Sequence, residues 1–388
     1  MKKSLFAIGA IGVLLGQAAP VRAQSSVTLY GLVDTAVEYV NRVSTASGTG
    51  GRVGMTGLGG LAPSRWGLRG AEDLGGGLQS VFWLESGFAP DTGALTPSAT
   101  SPLFARQASV GLKKNGVGLL TFGRQYTSLF DGVANFAPMR LATTYEPVAP
   151  LVGLSYREDN MVKYAGDFGS WHVGAHYSFG TGTPLQGGQP TVSSGGEIPG
   201  NHRAQTGYGA TGYYVDGKLG VGLGYDQVNP QTASGIGVER KATIGASYVL
   251  GAARLFGGYR WRDSVYANDN TAVRDNFYWT GIYYQATPAL GLTAAYYYNQ
   301  VKAASLSASA PAQKQPNFSQ LSLLADYSLS KRTDVYLSAS WSHNGALNYD
   351  SVIQTGGLYG YGSPASITGL ANGQKDMIGV AAGLRLVF

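Results

Sequence analysis

The last eleven residues alternate without a break. Ile378, Val380, Ala382, Leu384, Leu386 and Phe388 share one face, and Gly379, Ala381, Gly383, Arg385 and Val387 fall between them. A period of two is a β-strand with one apolar face. Such a face needs a cover. The same alternation recurs along most of the chain, and no helix-period segment supplies a second layer. Lipid is then the cover, and strands cross a bilayer only as a closed barrel, because every edge N–H and C=O must be paired in hydrocarbon.

The other end predicts export. Lys2 and Lys3 precede an apolar stretch, Leu5 to Leu15, that is too short to span a bilayer, and Val21-Arg22-Ala23 offers a small-x-small cleavage site. Residues 1–23 are expected to be a signal peptide and the mature chain to begin at Gln24. Nothing else reaches the roughly 18 apolar residues that a membrane helix needs. Cysteine is absent, which excludes disulfides, Cys-ligated zinc and thiol chemistry. Losing residues 1–23 lowers the formal charge of +6 by three, and no Lys/Arg run suggests a nucleic-acid partner. The 58 glycines disfavour helices, and 25 tyrosines with only 13% charged residues suit a wall with aromatic girdles at two interfaces.

Sixteen alternating segments are expected: 27–41, 64–73, 78–88, 103–113, 118–125, 157–168, 170–179, 205–215, 218–228, 240–250, 252–264, 274–286, 290–301, 318–329, 333–343 and 375–388. An even count is what such barrels require. A Gly/Ser loop follows the first segment. Short turns rich in Gly, Asn, Asp and Pro, such as Leu74–Gly77 and Asp216-Gly217, alternate with long loops such as 180–203, 302–317 and 344–374. The 31 residues from Tyr126 to Tyr156 stand apart. They carry Phe130, Phe136, Pro138, Met139, Pro147 and Pro150, too apolar to float in water, and are expected to fold into the lumen.

At Ser64-Arg65-Trp66-Gly67-Leu68-Arg69-Gly70-Ala71-Glu72-Asp73-Leu74-Gly75-Gly76-Gly77-Leu78 the sequence resembles the second strand and turn of Gram-negative general porins, in particular their β-proteobacterial branch. Val27-Thr28-Leu29-Tyr30-Gly31-Leu32-Val33-Asp34, Leu84-Glu85-Ser86-Gly87-Phe88, Phe122-Gly123-Arg124-Gln125-Tyr126, Asn160-Met161-Val162-Lys163-Tyr164 and the terminal Phe388 extend the resemblance over 24–388. It implies an all-β transmembrane antiparallel barrel of 16 strands with loop 3 folded into the lumen, embedded in the outer membrane among lipids and lipopolysaccharide. A homotrimer is implied, and Phe388 resembles the signal read by the outer-membrane assembly machinery.

Parity places the polar side chains. Trp66, Leu68 and Gly70 oppose Arg65, Arg69 and Ala71; Leu255, Tyr259 and Trp261 oppose Arg254, Arg260 and Arg262; and Trp171, Val173, Ala175, Tyr177 and Phe179 oppose His172, Gly174 and His176. A guanidinium at the lipid midplane costs about 2–4 kcal/mol, so these arginines should face the lumen. The resemblance implies that Arg65, Arg106 and Arg157 form a basic wall at the constriction, facing the loop-3 acids Asp131 and Glu146. Asp34, Glu38, Arg69, Glu85 and Lys163 are further lumen-facing candidates. Three arginines against one or two loop carboxylates predict a weak anion preference.

An enzyme is not expected. The sequence has no Gly-x-Ser-x-Gly elbow and no phosphate loop. His172 and His176 share a face but lie roughly 13 Å apart along a strand, too far for one metal. No metal or cofactor is expected. Passive diffusion of ions and small hydrophilic solutes is the expected function, and a substrate-selective outer-membrane channel is the alternative. Tyr296, Tyr297 and Tyr298 alternate faces and are expected as girdle residues rather than an aromatic track.

Overall fold

The computed structural model describes residues 26–96, 101–153, 156–182, 185–186, 189–190, 196–305, 307–349, 370–371 and 373–388. The expected signal segment, 1–23, lies outside them. The wall strands are β1 (Ser26–Thr45), β2 in two pieces (Gly48–Met55 and Arg65–Gly75), β3 (Leu78–Gly87), β4 (Gln107–Lys114), β5 (Gly118–Tyr126), β6 (Arg157–Phe168), β7 (Trp171–Ser178) and β8 (Thr206–Val215). They continue with β9 (Leu219–Asn229), β10 (Val238–Leu250), β11 (Ala253–Val265), β12 (Thr271–Gln285), β13 (Leu290–Ala304), β14 (Phe318–Ser328), β15 (Thr333–His343) and β16 (Asp376–Val387). Each pairs antiparallel with the next. β16 returns to β1 in a register running from Leu32 opposite Val387 to Val40 opposite Gly379, which closes a 16-stranded barrel. Phe388 extends the seam: Phe388 N–H donates to Gly31 C=O and Gly31 N–H to Phe388 C=O, both at 3.0 Å.

Alternation becomes an inside and an outside. Ile378, Val380, Leu384 and Leu386 are exposed outward, whereas Met377 and Ala381 on the opposite face are buried. On β11, Leu255 is exposed and Arg260 and Arg262 are buried; on β12, Tyr278 is exposed between the buried Phe277 and Trp279. An exposed apolar band and a polar interior are the membrane-barrel pattern.

Two boundaries and one side-chain placement illustrate where the structure differs from expectation. The stretch read as a Gly/Ser loop is the outer piece of β2: Gly48–Met55 pairs with Val37–Thr45, because ladder bonds are made by backbone and do not need branched side chains. Residues 56–64 then leave the wall before β2 resumes at Arg65. β4 begins at Gln107, four residues later than expected. Tyr297 is no girdle residue, since it is fully buried on the inner face.

The segment between β5 and β6 holds α1 (Ser128–Val133), a 3-10 turn (Ala134–Phe136) and α2 (Val148–Val152). Thr127 caps α1, its hydroxyl accepting Phe130 N–H at 3.3 Å. Leu129, Phe136, Tyr145 and Leu151 are fully buried. Phe136 rests on Gly220, Gly222 and Gly245 of β9 and β10, where an added Cβ would come within 3.0, 2.6 and 2.8 Å of it. The segment is also tied to distant strands. Trp279 Nε1 donates to Phe136 C=O at 2.9 Å, and Tyr145 C=O accepts from Gln320 Nε2 at 2.9 Å and Ser322 Oγ at 2.7 Å.

Candidate functional site

β2 resumes at Arg65, β6 begins at Arg157, and Arg106 immediately precedes β4; the three meet in one patch. Glu85 on β3 is the carboxylate that Arg65 and Arg106 share. Arg106 Nε donates to Glu85 Oε1 at 2.7 Å, Arg65 Nε lies 3.5 Å from Oε2, and Tyr30 Oη donates to Oε2 at 3.1 Å. Tyr126 is the second hub. Its hydroxyl accepts from Arg106 Nη2 at 3.0 Å and from Arg157 Nη2 at 2.6 Å. Tyr126, Phe130 and Tyr156 stack, with centroids 4.1 Å and 5.5 Å apart along the pile, and the Arg157 guanidinium covers the Tyr126 and Tyr156 faces at 4.4 and 4.8 Å. Two of the three guanidinium groups thus share one wall carboxylate, the third is held by the tyrosines, and the patch is left net positive.

The expected acids are occupied elsewhere. Asp131 pairs with Lys163, whose Nζ also donates to Tyr126 C=O at 2.9 Å. Glu146 is buried and accepts the backbone N–H groups of Met139 (3.2 Å) and Leu141 and the Tyr297 hydroxyl (2.7 Å). Asp34 is fully buried and accepts the N–H groups of Gly60 (3.0 Å), Leu61 (2.8 Å) and Ala62 (2.8 Å) and the Tyr336 hydroxyl, so it holds the 56–64 turn. Glu38 binds Arg52 and accepts the Tyr145 hydroxyl at 3.1 Å. Arg69 lies exposed over the Tyr30 ring at 5.3 Å.

Sequence reasoning missed Tyr126, Tyr145 and Tyr156. The one available signal was their place at or inside the apolar stretch after β5, which does not say which ring meets which arginine.

Burial pushes the Glu146 carboxyl up to about 7, outweighing the hydrogen bonds from Tyr297 and the loop backbone, which favour the charged form. An unfolded glutamate titrates near 4.3. Between about 4.3 and 7 the folded chain therefore holds the extra proton, and stability falls as pH rises through that window and is level above it. The difference in urea midpoint between the wild type and Glu146→Gln should drift across this window. A constant difference would mean that Glu146 is ionised throughout.

The comparisons with known proteins agree with this architecture. The sequence profile of the Gram-negative porin family matches residues 7–347. The chain belongs to that family. It is an outer-membrane porin of a Gram-negative bacterium, a family of channels rather than enzymes. It is 34% identical over 276 residues to an outer membrane porin protein of Bordetella pertussis, covering 66% of this chain and 68% of the relative. It is 32% identical over 271 residues to outer membrane porin protein 32 of Delftia acidovorans, with the same two shares. The solved structure of an anion-selective porin from Comamonas acidovorans superposes with a TM-score of 0.72, at 24% identity, over 94% of this chain and all of that one.

Proposed function

We propose that this porin conducts ions and small hydrophilic solutes passively, with a mild preference for anions set at Arg65, Arg106 and Arg157. The observation that carries the reading is a patch of three guanidinium groups with one carboxylate: Arg65 and Arg106 meet Glu85, Arg157 meets Arg106 only through the Tyr126 hydroxyl, and Asp131 and Glu146 are spent on Lys163 and on loop backbone. A surplus of fixed positive charge in a water-filled constriction lowers the barrier for anions and raises it for cations. The anion selectivity named for the Comamonas porin supports the same direction.

In this reading residues 126–156 fold into the lumen and narrow it. Support comes from their bonds to inner-face residues of β1, β12 and β14, among them Glu38, Trp279, Gln320 and Ser322. Residues 1–23 serve export, residues 24–388 form the barrel domain, Phe388 is read by the outer-membrane assembly machinery, and three copies assemble among lipids and lipopolysaccharide.

Single-channel recording in a planar bilayer under a KCl gradient tests the proposal. Conductance steps in groups of three and a reversal potential of chloride sign are expected. A potassium-signed potential would remove the arginine argument while leaving the porin.

A further inference from the structure

A second charge cluster has no part in the constriction. Glu158 on β6, His176 on β7 and Asp226 on β9 point their side chains to one spot over β8. Two glycines make that convergence possible. Gly209 is opposite His176 on one side and Asp226 on the other, and a Cβ there would come within 2.7 Å of the imidazole. At Gly207 a Cβ would lie 2.7 Å from each Glu158 oxygen. His176 Nε2 is 3.5 Å from Glu158 Oε2 and 3.7 Å from Asp226 Oδ2, and one ligand atom from each residue lies within 4.8 Å of the others. Neighbouring ligands about 2.1 Å from one divalent ion stand roughly 3–3.5 Å apart, so the spacing suits a shared cation.

The cluster also lacks hydrogen bonds. Both Glu158 oxygens, His176 Nε2 and both Asp226 oxygens are buried without one. Lys241 Nζ lies 3.3 Å from Asp226 Oδ1 and 3.5 Å from Glu239 Oε1, which leaves Oδ2 turned to the imidazole. On its other side His176 Nδ1 accepts the Ser128 backbone N–H at 3.2 Å and lies 2.7 Å from Ser128 Oγ, in the first turn of α1. With Nδ1 accepting that N–H, the Nε2 edge of the ring faces two carboxylates. Two buried carboxylates turned on one another, with no hydrogen bond to either oxygen of Glu158, are unfavourable unless positive charge sits between them. A cation bound at Nε2 would make Nδ1 the donor, with Ser128 Oγ as its acceptor, which is how metal-binding histidines are held.

We propose that Glu158, His176 and Asp226 bind a divalent transition cation, of the Mn2+, Co2+ or Zn2+ class. One nitrogen with two carboxylates suits these ions better than Ca2+ or Mg2+, which take oxygen alone. The bound ion would lock the imidazole against Ser128 and so fasten the start of α1 to the wall.

The test uses the folded full-length chain in detergent, stripped with EDTA and titrated calorimetrically with MnCl2, with CoCl2 absorption as a second readout. One Mn2+ per chain is expected. Glu158→Gln and Asp226→Asn should each weaken binding at least tenfold, and His176→Gln should abolish the cobalt band. His172→Gln and His343→Gln, which alter the less buried His–Asp pairs with Asp167 and Asp376, should leave both readouts unchanged. Folding of each variant is checked by heat-modifiable gel mobility. If the variants fail to fold, crystals of the native protein soaked in MnCl2 give an independent answer: an anomalous peak among the three side chains supports the site, and its absence overturns it. Binding that survives Glu158→Gln and His176→Gln, or an imidazolium at neutral pH in the metal-free protein with no Mn2+ uptake, would also overturn it.

Discussion

Asp275→Asn is expected to cost about 3–5 kcal/mol of stability, the range for breaking a buried ion pair by removing one partner. Asp275 Oδ1 accepts from Arg260 Nη1 at 2.5 Å and from Arg262 Nε at 3.0 Å, and Oδ2 accepts from Arg262 Nη2 at 2.5 Å and Asn299 Nδ2 at 3.1 Å. Arg260, Arg262 and Asp275 are all buried. Asparagine keeps an oxygen but not the charge, so two guanidinium groups lose the carboxylate they share. Urea unfolding in lipid vesicles, followed by tryptophan fluorescence, measures the loss. Adding Arg260→Met in the Asp275→Asn background should recover part of it, because one uncompensated charge goes too. A cost below about 1 kcal/mol would mean that water neutralises this pair of arginines. Arg260 Nε also donates to Pro150 C=O at 2.8 Å, so the variant should record with a noisier open channel as the 126–156 segment loosens.

Arg106→Ala should move the reversal potential towards potassium and widen the pore. A unit charge about 5 Å from a permeating ion in water is worth roughly 0.8 kcal/mol, close to a fourfold change in the permeability ratio. Screening sets the condition for seeing it. The Debye length is about 10 Å at 0.1 M salt and about 3 Å at 1 M, so the shift should be clear in dilute KCl and fade in concentrated KCl. Glu85 remains beside Arg65 and the Tyr30 hydroxyl, which keeps the strands in register while the positive surplus shrinks. An unaltered selectivity at low salt would remove Arg106 from the narrow part of the channel.

The wall was legible because its signal is local. Parity along each strand separates lipid-facing from inner residues, and Arg260 and Arg262 alternate with Tyr259 and Trp261 as a polar face requires. The outer piece of β2 was not legible, because Gly48-Thr49-Gly50-Gly51 carries no side-chain pattern and pairs through backbone alone. The arginines at the patch were found through the resemblance to porins, with parity placing Arg65 on the polar face. The fate of the acids could not be found this way, since it depends on residues far along the chain. Tyr145 reaches Glu38 from 107 positions away, and Tyr336 reaches Asp34 from 302. Glu146 sits before a proline, and nothing there hints that Tyr297 will donate to it. The same limit hid the cluster around His176, whose partners come from other strands, over the glycines of β8.

The ties of the 126–156 segment have a mechanical consequence. They meet the wall at His176, Arg260, Trp279, Tyr297, Gln320 and Glu38, on six strands spread around the ring. A thin cylinder under lateral pressure fails first by flattening into an oval, since bending a sheet is easier than stretching it. Struts set across such a tube resist that ovalisation. With 126–156 folded into the lumen, as proposed, the segment would act as cross-bracing, and the calibre of the passage beside it would be held by the same bonds that keep the tube round.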